Sequence, residues 1–165
     1  MNSPVGQLTL IANDKSLAAV LWEKDTLARV KIDAGKENNN HPILLEAQKQ
    51  LMEYFQNKRT SFDLPLDFIG TEFQKDVWRA LLAIPFGQTK TYGQIAQQIG
   101  NPKAVRAVGA SIGKNPISII APCHRVIGAS GKLIGFAGGI QNKARLLRIE
   151  DPNRTIKLNS SNSCI

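Results

Sequence analysis

Cys123 and His124 are the residues of this sequence whose types and spacing most directly suggest chemistry. A thiol is a poor nucleophile and its thiolate a very good one, so a working cysteine needs a base or a cation beside it. The chain has only 2 histidines, His41 and His124, and one of them directly follows Cys123. The pair stands in Pro122-Cys123-His124-Arg125-Val126, behind the apolar run Ile117 to Ala121. That run predicts a buried extended segment that delivers the cysteine. The chemistry open to such a pair is nucleophilic: group transfer to sulfur, or hydrolysis through a covalent intermediate. Cys123 and Cys164, with only His41 and His124 beside them, make neither a disulfide framework nor a structural zinc site, and no metal or cofactor is expected.

The elements that must position this motif fall into two units. Residues 3–12, 16–23 and 28–33 read as short strands, with Asn13-Asp14-Lys15 as a turn. From Pro42 to Gln56, Ile43, Leu44, Ala47, Leu51 and Tyr54/Phe55 recur at helical spacing. Residues 1–66 are therefore expected to form a small antiparallel sheet with one helix, a scaffold without chemistry of its own. Residues 67–151 are expected to be mainly helical, and 152–165 to be a polar, mobile tail. The fold class expected is α+β.

In the second unit, Phe73, Val77, Ala80/Leu81 and Ile84 mark one helix, and Tyr92, Ile95, Ala96 and Ile99 a second, stopped by Gly100. Asn101 is placed to N-cap a third helix, with Pro102 at its first position and Val105, Val108 and Ile112 as its buried stripe. Helix, glycine-containing turn, helix is a helix-turn-helix pattern, whose second helix reads DNA. The open face of that helix is made of small residues, Ala104, Ala107, Gly109, Ala110 and Ser111, with Arg106 among them. Small residues permit close approach to a sugar-phosphate surface, and a lone arginine there can enter the groove or the stack. Few base-reading side chains suit sequence-tolerant, minor-groove binding.

Charge points the same way. The chain carries +8 overall, with a pI of about 9.7. Residues 1–69 hold 8 Lys/Arg against 9 Asp/Glu, whereas residues 70–150 hold 11 against 3. The basic excess lies in the half with the Cys-His motif, which implies a polyanionic partner. No apolar run is long enough to cross a membrane, and Met1-Asn2-Ser3-Pro4 does not open a secretory signal. The expected place is intracellular, cytoplasmic for a bacterial source, and the expected state a monomer.

Pro122-Cys123-His124-Arg125-Val126 resembles the acceptor motif of the O6-alkylguanine-DNA alkyltransferases. The resemblance extends through Ile84-Pro85-Phe86-Gly87-Gln88-Thr89-Lys90-Thr91-Tyr92, through the stretch from Asn101 to Gly109, through Asn115-Pro116 and through Gly135-Phe136-Ala137-Gly138-Gly139, to a helix closing on Glu150. It covers residues 72 to 150 in unbroken order. The resemblance implies direct-reversal repair of double-stranded DNA. An alkyl group moves irreversibly from O6-alkylguanine, with O4-alkylthymine as a further candidate, to Cys123 in a single turnover. It implies His124 as base acting through a water, Glu150 holding His124, and Asn115 fixing the turn that places the cysteine. Tyr92 and Gly93 would contact the phosphate 3′ of the target, and Tyr92 would also help protonate the departing guanine. Arg106 would fill the gap left by the flipped base, with Asn101, Ala107 and Gly109 on the DNA. Val126 and the Phe136-Ala137-Gly138 loop would line the base pocket. Phe136 and Ala137 stand where relatives often have tyrosine and serine, so a side-chain hydroxyl contact is lost there. Three other readings remain open at this level: a damage sensor without transfer, a cysteine hydrolase and a transcriptional regulator.

Overall fold

A computed structural model describes residues 1–158. Cys164 and the rest of the expected tail from 159 onward lie outside the described residues.

The fold is α+β. Strand β1 (Asn2–Ser3) turns back at Pro4-Val5 onto β2 (Gly6–Ala12), and β3 (Leu17–Trp22) completes an antiparallel sheet in the order β1-β2-β3. The Asn13 side chain closes the β2–β3 turn by accepting from the amides of Lys15 and Ser16. All six residues of β3 are buried, because both of its faces and its far edge are covered. On that edge Leu17 pairs with Leu66, and Val20 with Ile117 from the second half of the chain. The segment leading to Cys123 is thus docked on the central strand of the first unit.

The expected strand over 28–33 is instead a short helix, α1 (Leu27–Val30), ended by Lys31 in the left-handed region. Val30 and Ile32 are buried as their apolar character required. The backbone differs because Asp25 and Arg29, at helical i,i+4 spacing, form an ion pair. Helix α2 (Pro42–Phe55) is N-capped by the His41 ring, which accepts from the Ile43 amide. It lays Ala47, Leu51 and Tyr54 on the sheet.

Helices α3 (Glu72–Leu82) and α4 (Tyr92–Gln98) each begin with a capping box, Thr71 with Gln74 and Thr91 with Gln94. Strand β4 (Lys90–Thr91) runs directly into α4. Helix α5 (Val105–Gly113) starts later than expected, with Ala104 at its N-cap. Asn101 does not cap it: the Asn101 carbonyl accepts from the Ala104 amide, so a turn over 101–104 holds Pro102 and delays the helix. Val105, as the first helical residue, is consequently 40% exposed, while Val108 and Ile112 are buried. Ser111 also turns inward, and its carbonyl accepts from the Trp78 indole.

Cys123–Arg125 form one 3-10 turn, followed by β5 (Val126–Ile127), which pairs in parallel with β4. This pairing ties the start of α4 to the residue after the Cys-His-Arg turn. Helix α6 (Ile140–Glu150) buries Lys143, Ala144, Leu146, Leu147 and Glu150. Residues 154–157, expected to begin a mobile tail, pack back on the body. Arg154 donates to the Gly87 carbonyl, and Lys157 bridges Lys132.

Candidate active site and nucleic-acid interface

The approach to Cys123 is buried as expected, but it is a turn and not an extended segment. The Asn115 side chain causes this. Its Oδ1 accepts from the Ile117 amide (3.0 Å), and its Nδ2 donates to the Ala121 carbonyl (2.8 Å). Both groups satisfied, Asn115 is only 1% exposed. The loop so closed forces Ile119 to φ 73°, a left-handed conformation rare for a β-branched residue. Arg29 of α1 braces the turn from the other unit by donating to the carbonyls of Gly113 and Asn115.

Cys123 is buried. Burial pushes its thiol up from the ordinary value, opposed by the hydrogen bond of Asn115 and by the charges of Lys143 and Arg29. At rest the sulfur is therefore a thiol, held among groups that favour its anion.

His124 is completely buried, and its Nε2 lies 2.6 Å from Glu150 Oε1. The Glu150 carboxylate is crowded with donors. Tyr54 Oη donates to Oε1 (2.7 Å), Arg125 reaches both oxygens, and the Gly87 amide donates to Oε2 (3.2 Å). Burial by itself would raise this carboxyl; His124 and Arg125 outweigh it and hold it at about 2. Burial also lowers His124, against the pull of Glu150, so the ring is held neutral. An ionised carboxylate only accepts, so the single ring hydrogen belongs on Nε2. His124 Nδ1 is then a lone pair, buried and without a protein partner.

Above this relay, Cys123, Val126, Tyr92 and Phe136 share one apolar cluster with α3, α4 and α5. Tyr92 Oη donates to the Ile134 carbonyl (3.2 Å), and burial, then the proximity of Cys123, raises its pKa. Gly109 of α5 faces the Tyr92 ring, and Gly93 lies in the first turn of α4. Asn101, Arg106 and Ala107 are exposed at the start of α5, away from the relay, as is Ala137 on the loop. Gly138 is half-buried against Trp22. Among the described residues no three His, Cys, Asp or Glu side chains could jointly hold a metal ion. A separate cavity of about 720 Å³ opens between β2, the 34–39 loop and α2, and contains none of these residues.

The family described as 6-O-methylguanine DNA methyltransferase matches twice. Its DNA-binding domain covers residues 72–152, and its ribonuclease-like domain covers residues 1–68. The chain belongs to this family. Over 150 residues it is 47% identical to the methylated-DNA–protein-cysteine methyltransferase of Mycobacterium leprae, covering 91% of this chain and 89% of the relative. It is 49% identical over 148 residues to the enzyme of that name from Methanosarcina acetivorans, covering 90% and 94%. The crystal structure of Mycobacterium tuberculosis OGT in complex with DNA superposes with a TM-score of 0.83 at 46% identity, covering 92% of this chain and 91% of that one.

Within this family fold, sequence reasoning missed four side chains that pack or hydrogen-bond at the candidate site. Arg125 is 6% exposed, forked onto Glu150, and donates to the Ile84 carbonyl. Lys143 is fully buried, its Nζ on the Ile134 carbonyl, and burial lowers its pKa to about 8. The helical period of α6 could have revealed it, since Lys143 lies on the same face as Leu146, Leu147 and Glu150. Tyr54 and Trp22 come from the unit read as a scaffold, and no local pattern announces them.

Proposed function

We propose that this protein repairs alkylated DNA by moving the alkyl group from O6 of guanine onto its own Cys123. The sulfur attacks the alkyl carbon in line, an S–C bond forms, and the C–O6 bond breaks. The thiol proton passes toward His124 Nδ1, and the guanine leaves with the bonding electrons and takes up a proton. Tyr92 is the group proposed to help supply it. A thioether does not hydrolyse, so each molecule acts once. The observation that carries this reading is a buried His124, next to Cys123 in the chain, whose Nδ1 has no protein partner while Glu150 holds the ring's other nitrogen.

Two neutral groups at rest suit a protein that must keep its thiol from reacting in solution. Thiolate character develops on the sulfur only as its proton is withdrawn for the attack, where Lys143 and Asn115 favour it. Asn115 is proposed to act by holding the turn. The target base must leave the duplex to reach the sulfur. Tyr92 and Gly93, at the N-terminus of α4, are proposed to meet the phosphate beside it. Arg106 is proposed to fill the vacated stack, with Asn101, Ala107 and Gly109 along the minor groove. Val126 and the Phe136-Ala137-Gly138 loop are proposed to hold the flipped base. The protein is proposed to work inside the cell as a monomer.

Mass spectrometry tests the reading. With excess O6-methylguanine duplex, one methyl should appear on the peptide containing Cys123 and none on Cys164. Cys164→Ser should keep full capacity and Cys123→Ser should have none. Methylation that persists in Cys123→Ser rules the assignment out.

A further inference from the structure

Trp22 ends β3, in the unit that carries neither the cysteine nor the basic helices, yet it lies directly behind the proposed base-holding loop. Its ring is 4% exposed, and its Nε1 donates to Ser118 Oγ (3.1 Å) in the turn that delivers Cys123. Gly138 presses its backbone on the indole: a Cβ there would stand 2.5 Å from Cδ2 and from Cε2. Phe136 meets the same indole edge-on, with ring centroids 5.3 Å apart. Phe136 also packs into the apolar cluster that contains Cys123 and Val126. The loop is therefore a thin wall, with the cysteine's cluster on one side and Trp22 on the other. Its ends are tied as well. Asn142 joins the carbonyls of Val5 and Gly138, while Tyr92 and Lys143 both donate to the Ile134 carbonyl. With close packing behind it, the wall has nowhere to retreat.

We infer that Trp22 sets how far the 136–138 loop stands from Cys123, and so limits the size of the alkyl group the site accepts. Trp22 is a positioning residue that determines specificity; it acts through Gly138 and Phe136 and touches no reacting atom. The inference rests on the repair reading above.

Single-turnover transfer rates for duplexes carrying O6-methylguanine and O6-butylguanine test it. Trp22→Ala lets the loop settle back, and the butyl-to-methyl rate ratio should rise about tenfold, the scale of size discrimination in an apolar pocket. Trp22→Phe keeps an aromatic core and should give a smaller rise in the same direction. Gly138→Ala drives a methyl against the indole, pushes the loop toward the sulfur and should lower the ratio. In a Trp22→Ala background the same Gly138→Ala change should cost far less, because the obstacle is gone. Simple loss of folded protein lowers both rates together and leaves the ratio alone, so Trp22→Phe and Gly138→Ala decide the matter even where Trp22→Ala folds poorly. A ratio that stays flat across these variants, or a Gly138→Ala effect equal in both backgrounds, overturns the inference and leaves the repair reading standing. Absence of methyl transfer by the unaltered chain overturns both.

Discussion

Glu150 and Arg106 are charged residues on helices of the same half of the chain, and the fold treats them in opposite ways. Glu150 is 8% exposed and accepts from Tyr54, His124, Arg125 and Gly87. Arg106 stands exposed on α5 among small residues. The Glu150 carboxylate is crowded with donors, so the buried groups around it depend on one another for stability. The helix face is open, so its parts are free to serve a partner and contribute little to the fold. A buried charge is safe only while its partners remain, whereas an exposed one can be changed at small structural cost.

The largest test of that contrast is Glu150→Gln. It leaves the Arg125 guanidinium buried without its counter-ion, a loss of about 3–5 kcal/mol. Thermal melting should fall by about 6–20 °C, at ~2–4 °C per kcal/mol for a chain of this length, and transfer should slow while DNA affinity is largely kept. The variant should also lose a pH dependence. A carboxyl held at about 2 in the fold contributes stability above its unfolded value of ~4.3, and that contribution disappears as pH falls toward the folded value. Acid unfolding of the unaltered chain should therefore steepen below pH ~4.3, and Glu150→Gln should show less of that slope. An unchanged melting temperature would mean the relay end carries no structural load.

Alkylation of Cys123 is the next largest. The residue is 4% exposed within a close-packed cluster, and adding a methyl to such a core costs roughly 1–3 kcal/mol. Melting curves before and after complete reaction, with DNA removed from both samples, should differ by several degrees, the methylated protein melting lower. Proteolysis should begin near residues 114–135. Equal curves would show that the pocket takes the group without strain.

Tyr54→Phe probes the link between the units more finely. It removes one buried hydroxyl bond, a loss of about 1 kcal/mol, and leaves Glu150 its other donors. A small fall in denaturant midpoint is expected, without a change in slope. No shift at all would make the Tyr54 contact incidental.

Arg106→Ala should have the smallest effect on stability, within about 0.5 kcal/mol. Its consequence should fall on DNA instead: transfer from duplex slowed about tenfold or more, the scale of a few kcal/mol for holding a base out of the stack. Reaction with free alkylated base should be nearly untouched. Equal losses on duplex and free base would erase the distinction between the two regions.

Much of this molecule is local and therefore legible in its sequence. The stripes of α2, α3 and α4 follow from apolar spacing, and the starts of α3 and α4 from Thr71 and Thr91 with a glutamine three residues on. The basic excess after residue 70 and the Cys123-His124 pair need only composition and order. Apolar spacing failed as a guide where specific polar contacts, most of them between near neighbours in the chain, overruled it. The Asp25–Arg29 pair, with Arg29 reaching the carbonyls of Gly113 and Asn115, turned an alternating apolar segment into a helix. The two bonds of Asn115 folded an apolar run into a turn through Ile119. The turn at Asn101 delayed α5.

The sequence by itself determined that Cys123 and His124 could do chemistry, and its resemblance to a known family pointed to Glu150. Only the tertiary structure decided what surrounds them. Tyr54 meets Glu150, and Trp22 meets Ser118, each across 96 residues of chain. Neither contact leaves a trace in local spacing, because it exists only once β3 and α2 have been packed against the cysteine turn and α6. The protonation states of the relay belong to the same level. They depend on burial and on the donors that burial brings together, and no residue type carries that information alone.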